Sequence, residues 1–516
     1  MMNKNKEIKE AGEREERKSL KRKLSEAFSE WAQSSTSHGL PNIFRSGNNY
    51  FLKLMWTVCL LASAAYCAFS VYNSVLNYYE YNVITQLSDY TESPIEFPVV
   101  TYCNSNPFTT EYGLNYSKSF LASQNITNLL NSTILKSYFN YSDIQEMVNL
   151  YISKTIVMRA AKQLNDTEKR KMGYSLDFSL IMCAINNQPC DANSFVWYYD
   201  TAYGNCYQFN TDKAPVNTYR TLKTGKINGL MLMLMSGTLP DTYVLGIESG
   251  IQLFIHNKST APTSVDSVAL RPGSLTYVAL KKVFTQKQPR PYNDCENDLT
   301  VNKYENIFYK KTFEEAANVY KYEQRNCIDL CTQYYLIRVC GCADANYPSI
   351  DNAPFCNTLQ SIVCLYFNLV TFYSLSEYSK CYDYCPLECA TQSFDTKISS
   401  SSFPHDSMAG LMTSNVRVQE RFRSLNISLS QANMEKFIAG TYVYFDDNKY
   451  RLITESPAQS IEDLMSNVGG ILGLYIGVSF LSFVELFELF FQMIFISFRH
   501  HHQSQSSNRK SVVAPN

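Results

Sequence analysis

Residues Leu464 to Phe498 read LMSNVGGILGLYIGVSFLSFVELFELFFQMIFISF, and the interpretation of this stretch decides the fold. Nothing from Leu464 to Val484 is charged, which is about the roughly 20 residues a helix needs to cross a bilayer core. Apolar character resumes after Glu485 and Glu488 and runs to Phe498. As one helix the stretch would be roughly 50 Å long, so it must tilt, break or extend beyond the lipid. Gly469, Gly473 and Gly477 recur every four residues, with Gly470 alongside. Two readings stay open: small residues that let membrane helices approach closely, or a departure from helical geometry that presents carbonyl oxygens to a passing ion. Freed carbonyls inside a membrane must face water or protein. At 100° per residue Ser479 lies about 160° from Gly477, whereas Glu488 lies within about 20° of it. Gly477 and Ser479 can therefore share one wall only if the helix breaks there. Glu485 and Glu488 are costly in lipid unless they face an aqueous path; if the helix ends before them, they are interfacial.

Working outward, Leu54 to Tyr79 is a second uncharged stretch long enough to span, with Trp56 at one interface and Tyr78, Tyr79 and Tyr81 at the other. It lies too deep, behind too charged a segment, to be a cleaved signal peptide. Eleven Lys and Arg precede residue 54, and Arg499, Arg509 and Lys510 follow the last span without an acid. The positive-inside rule then places both termini in the cytoplasm. The expected organisation is a cytoplasmic segment 1–50, a first transmembrane helix 51–77, an extracellular domain 78–462, a pore-lining second segment 463–498 and a cytoplasmic tail 499–516 read as disordered. Seven N-x-S/T sequons, at Asn115, Asn125, Asn131, Asn140, Asn165, Asn257 and Asn426, all fall between the spans. So do 14 of the 16 cysteines, all but Cys59 and Cys67, as befits an oxidising compartment.

A chain of 516 residues with 45% hydrophobic content supports a large folded core, and a net charge of −1 gives no reason to propose nucleic-acid binding. A mean hydropathy of −0.23 excludes a bundle of many spans. There is no CxxC pair, and neither G-x-S-x-G, H-E-x-x-H nor a Walker loop occurs, so no metal site, cofactor or enzymatic activity is expected. Apolar or alternating runs at Phe97–Tyr102, Gly229–Met235, Ile251–His256, Tyr277–Phe284 and Phe437–Tyr444 read as strands, and residues 117–190 and 304–340 as helical. This is one α+β domain with strands from both ends of its segment. Cys327 and Cys331 are four apart, as are Cys381, Cys385 and Cys389, so on helices each set projects from one face. Spacing alone does not fix the pairing.

Gly469-Gly470-Ile471-Leu472-Gly473-Leu474-Tyr475-Ile476-Gly477-Val478-Ser479, ending at Glu485-Leu486-Phe487-Glu488, resembles the second membrane segment of the degenerin/epithelial (amiloride-sensitive) sodium channel family. His38-Gly39 is similar to that family's cytoplasmic gating motif, and Phe97 to Asn104 and Gly204 to Asn210 to two extracellular signatures. The resemblance implies a plasma-membrane trimer, here a homotrimer in the lipid bilayer, with a β-palm, helical thumb and finger regions, and block by amiloride-type compounds. It implies that Gly477, Val478 and Ser479 select the permeant sodium ion, with Glu485 and Glu488 behind them. It also implies the disulfides Cys103–Cys206, Cys183–Cys190, Cys295–Cys389, Cys327–Cys385, Cys331–Cys381, Cys340–Cys364 and Cys342–Cys356. Asn467 stands where acid-sensing relatives carry an acid, so conclusions about divalent block do not transfer.

The stimulus is the harder question. Ser37 to Ile43 and Cys103 to Phe108 look more like the invertebrate FMRFamide-gated sodium channels than like acid-sensing ones. Only His256 and His405 lie between the spans, which leaves little histidine to sense protons. Trp197-Tyr198-Tyr199-Asp200 offers the aromatic faces and carboxylate that would suit a peptide ligand carrying arginine, against the alternative of an ordinary structural cluster. Acid, mechanical and constitutive opening are the alternatives within the family, and a surface receptor or adhesion protein is the alternative outside it.

Overall fold

Leu230–Met235 and Ile251–His256 are buried along almost every residue, as strands covered on both faces must be. The computed structural model describes residues 2–45, 47, 49–123, 142–216, 219–237, 248–260, 262, 266–300, 303–315, 322–347, 350 and 352–510. Asn125, Asn131 and Asn140 lie outside them. The helices used below are α1 (Met2–Ser34), α2 (Leu40–Phe44), α3 (Tyr50–Tyr79), α4 (Gln324–Cys340), α5 (Leu359–Phe372), α6 (Ser376–Tyr384), α7 (Ile461–Ile476) and α8 (Phe480–Lys510).

The chain divides into two units, Thr85–Ser456 and a second made of Met1–Ile84 with Pro457–Asn516. The first is built on two sheets. In chain order their strands are β1 (Val83–Thr91), β2 (Val99–Asn104), β3 (Leu180–Ile185), β4 (Gln188–Pro189), β5 (Phe195–Asp200), β6 (Gly204–Phe209), β7 (Leu230–Met235), β8 (Ile251–His256), β9 (Ser267–Leu270), β10 (Ser274–Gln286), β11 (Ala390–Ser402), β12 (Ile438–Phe445) and β13 (Lys449–Pro457). The larger sheet runs β1-β13-β10-β12-β7-β3-β4, with β11 also on β10; the smaller runs β9-β8-β2-β6-β5. Strand β10 is the organiser. It pairs antiparallel with β11 from Ser274↔Ser402 to Gln286↔Ala390, and parallel with β12 and then β13 along its other edge. Gly440 on β12 allows that approach, since a Cβ there would stand 2.6 Å from the Leu275 side chain. Leu230, Leu232, Leu234, Val278, Leu280 and Val443 form part of a shared core with Val100 and Leu253 of the smaller sheet.

The strand and helix readings need several corrections. The strand read at Phe97–Tyr102 starts after Pro98, which has no N–H for the ladder, and runs Val99–Asn104 as β2. The region 117–190 ends in the β3–β4 hairpin, turned by Asn186 and Asn187 at φ of 52° and 59° and closed by Cys183–Cys190. The segment after the last span is not disordered throughout. Helix α8 continues to Lys510, with neither Pro nor Gly between Arg499 and Lys510 to stop it.

The seven disulfides of the structure join Cys103–Cys206, Cys183–Cys190, Cys295–Cys389, Cys327–Cys385, Cys331–Cys381, Cys340–Cys364 and Cys342–Cys356, the pairs that the resemblance implies. Cys327 and Cys331 lie on α4; Cys381 lies on α6, and Cys385 caps its C-terminus. The two cross-links between these antiparallel helices are therefore one turn apart. A buried ion pair adds to the covalent links: the Arg159 guanidinium donates to both carboxylate oxygens of Asp344, at 2.8 and 2.7 Å. Asn115, Asn165 and Asn426 are exposed; Asn257 is half-buried, and its amide donates to Gln392 Oε1 at 2.8 Å.

Candidate functional site

Two helices among the described residues are long and apolar enough to cross a membrane, Tyr50–Tyr79 and Phe480–His500. The sequence argument required a break at Gly477 if Gly477 and Ser479 are to share a wall, and the backbone breaks there. Helix α7 ends at Ile476 and α8 begins at Phe480. Gly477 adopts the left-handed conformation at φ 68°, which favours glycine. Its N–H donates to Gly473 O and that of Val478 to Leu472 O, a helix end closed on its own carbonyls. Ser479 then starts the next helix. Its N–H donates to Ser482 Oγ at 3.0 Å, and Ser482 N–H donates back to Ser479 O at 3.0 Å.

The segment between α1 and α2 docks on this break. His38 N–H donates to Ile476 O at 2.8 Å, and Ser37 Oγ donates to the same carbonyl at 3.2 Å. Thr36 Oγ1 lies 2.8 Å from Ser482 Oγ, and Thr36 N–H donates to Glu485 Oε2 at 3.1 Å. Trp31 Nε1 donates to Glu485 O at 3.1 Å. A Cβ on Gly477 would stand 2.4 Å from the His38 ring, so this position excludes a side chain twice, by conformation and by space. Gly39 sits at φ 86° as the cap of α2, close to Trp56 and Leu60 of α3. The structure thus brings His38, Gly39, Gly477, Ser479 and Glu485 together. Glu488, one turn on, is exposed and accepts from Gln492 Nε2 at 3.4 Å.

The other glycines behave differently. A Cβ on Gly469, Gly470 or Gly473 would meet nothing within 4 Å. Close packing within the chain does not account for them. Helix α7 meets α3 instead through rings such as Tyr66 and Tyr475, 5.0 Å apart. Asn467 is exposed on α7.

Thr36, Ser482 and Trp31 have no role in the sequence reading, and Ser37 enters it only as the first residue of the segment Ser37 to Ile43. Their one signal is the hydroxyl run Ser34-Ser35-Thr36-Ser37 just before His38-Gly39.

In the extracellular unit, Trp197 is already engaged. The Arg170 guanidinium lies 3.9 Å over its ring, and its indole N–H donates to Asn205 Oδ1 at 3.0 Å. Asp200 is buried and accepts from the N–H groups of Ala202 and Tyr203, closing the β5–β6 turn. Both serve the fold; Tyr198, Tyr199 and Asp200 of that run line a cavity. Burial holds His256 down to about 4, with Nε2 against Thr101 Oγ1 at 2.9 Å.

Residues 31–489 match the family described as Amiloride-sensitive sodium channel. The chain is 26% identical over 479 residues to Acid-sensing ion channel 1C of Danio rerio, covering 90% of this chain and 83% of that one. It is 24% identical over 483 residues to Acid-sensing ion channel 2 of Rattus norvegicus, covering 90% and 86%. To Epithelial sodium channel subunit gamma of Neoceratodus forsteri it is 27% identical over 332 residues, covering 64% and 48%. The family match begins at Trp31, which reaches the helix break, and ends at Leu489, just past the two acids, so it takes in every element of this site: the chain belongs to the amiloride-sensitive sodium channel family.

Proposed function

We propose that this chain is the subunit of a homotrimeric sodium-selective channel of the plasma membrane, with both termini in the cytoplasm, and that a short extracellular amidated peptide opens it. The observation that carries the reading is the break at Gly477-Val478-Ser479 with His38 docked on it. A helix that breaks in mid-span exposes main-chain oxygens, which can replace part of an ion's hydration shell. On this reading Gly477, Val478 and Ser479 select the permeant sodium ion. Glu485 and Glu488 add negative charge on the cytoplasmic side, and amiloride-type compounds block the path. His38-Gly39 couples to the filter directly, because Ile476 O accepts from His38 N–H. Gly469, Gly470 and Gly473, open on this chain, are left to face neighbouring subunits or the ion path.

Peptide opening is preferred to opening by protons on a histidine, since burial holds His256 down to about 4 and so neutral between pH 5 and 8; the Asp329 carboxyl, pushed up to about 6 by burial, is the group that a step to pH 5 would protonate. The experiment is to express the chain alone and apply, separately, micromolar amidated peptides ending in Arg-Phe and a step to pH 5. Peptide-evoked sodium current is expected, and Ser479→Cys should change its sodium-to-potassium permeability ratio or abolish it at normal surface expression. Acid-evoked current with none from peptide would reverse the stimulus. Unchanged selectivity in Ser479→Cys would remove the filter assignment.

A further inference from the structure

A cavity of about 830 Å³ lies between the β5–β6 hairpin and helices α4 and α6, within the size range of small-ligand sites. Its walls are unusually rich in tyrosine. Tyr203 stands on the hairpin side, with Tyr347, Tyr373, Tyr378 and Tyr382 opposite. Three of these rings form one edge-to-face cluster: Tyr373 and Tyr378 have centroids 5.0 Å apart and Tyr378 and Tyr382 5.5 Å, with the last two hydroxyls 3.2 Å apart. Tyr373 and Tyr382 remain 50% and 48% exposed, so they are not there to fill a core. Exposed aromatic rings gathered beside a cavity mark a recognition surface.

The carboxylates of the cavity differ in one respect. Asp200 is satisfied by its own turn. Asp266 is exposed to solvent. Asp329, on α4, is half-buried and makes no hydrogen bond or ion pair among the described residues. Of the two cations on the walls among the described residues, Lys162 donates to Ala345 O at 2.6 Å and Arg325 is an exposed neighbour one turn before Asp329. Burial pushes the Asp329 carboxyl up to about 6, so it is mostly ionised at neutral pH. A half-buried carboxylate with only the exposed Arg325 near it gains when a second cation joins it.

We propose that this cavity binds a guanidinium group, stacked on the tyrosine faces and paired with Asp329, and that its ligand is a short peptide carrying arginine. A guanidinium suits it better than an ammonium, because it is planar, weakly hydrated, stacks on rings and grips a carboxylate with two N–H groups. The identity of the ligand rests on the peptide-gating reading above. The preference of the cavity for cations does not.

Two measurements on the full-length channel keep these apart. In voltage-clamped cells, the half-maximal concentration of Phe-Met-Arg-Phe-amide is compared with that of the same peptide carrying citrulline, the neutral isostere of arginine. Asp329→Asn should weaken the arginine peptide about tenfold and leave the citrulline peptide unchanged. A shift shared by both peptides, or no shift, overturns the site even if peptides open the channel. If no peptide opens it, the gating reading falls, and the site is judged by the second measurement. Tyr373→Cys, placed on a background with Cys59→Ser and Cys67→Ser, is modified with a trimethylammonium thiosulfonate and with a neutral one of similar size, read by mass. Adding Asp329→Asn should slow the cationic reagent about fivefold and leave the neutral one unchanged. Equal rates with and without Asp329 overturn the inference.

Discussion

The two units use the same residue types in opposite ways. In the extracellular unit Leu230, Leu232, Leu234 and Leu280 are fully buried, and all 14 of its cysteines are in disulfides. In the other unit Leu61, Phe69, Leu481 and Phe491 face outward, and the two cysteines, Cys59 and Cys67, are free thiols. Apolar side chains turned outward over whole helices would be an aggregation liability in water. In lipid they are the correct surface. The comparison separates two kinds of stability. The first unit is held by burial and cross-links inside the chain, whereas the second has outward apolar helices, free thiols and a few hydrogen bonds around a helix break.

The largest expected effect tests the first half of that contrast. Arg159 is 7% exposed and bonded to both oxygens of Asp344. Asp344→Ala leaves that cation buried and alone, and should cost about 4 kcal/mol. The measurement is thermal melting of the full-length channel in detergent. A loss below about 1 kcal/mol would mean that the disulfides alone hold this region.

An intermediate effect comes from pH. His256 titrates near 6.5 when unfolded and is held down to about 4 by burial in the fold. Between those values the unfolded chain takes up a proton that the folded chain refuses, so stability falls as pH falls from about 6.5 towards 4. At pH 5 the loss from this group should be about 2 kcal/mol. His256→Gln should flatten the dependence of melting temperature on pH over that window. An unchanged slope would assign the acid sensitivity to other groups.

The smallest effect falls on the second unit. Gly39 at φ 86° tolerates alanine only with backbone strain of about 1 kcal/mol. Gly39→Ala should leave the main melting transition where it is and lower single-channel open probability at normal surface expression. A mutant with unaltered open probability would separate the His38-Gly39 contact from gating.

How far the sequence could be read depended on whether a feature is local. The break at Gly477 was legible as a condition, because residue angles on one helix allow Gly477 and Ser479 to share a wall only if the helix breaks there. Strands β7 and β8 were legible as apolar runs. Strand β11 was not: its Ser399, Ser400, Ser401 and Ser402 carry no alternation of hydrophobicity, since the strand is exposed along most of its length and is specified by its ladder to β10. The docking of Thr36 and Ser37 on Ser482, Glu485 and Ile476 links residues more than 400 positions apart and leaves no local pattern at either end. The cavity around Asp329 was half visible. Tyr198 and Tyr199 stood out as an aromatic run, but Tyr373 at the end of α5 and Tyr378 and Tyr382 on α6 arrive from helices that disulfides tie to α4.

Those disulfides also decide what can move. A single cross-link between two helices still permits pivoting about the bond. Cys327–Cys385 and Cys331–Cys381 fix α4 to α6 at two points about 6 Å apart along the axis, which removes both pivoting and sliding. Cys340–Cys364 ties the far end of α4 to α5. Three helices thereby lose their separate degrees of freedom and travel as one lever, so a displacement applied at Tyr378 on α6 must reappear at Leu336 on α4, undiminished by slippage between them.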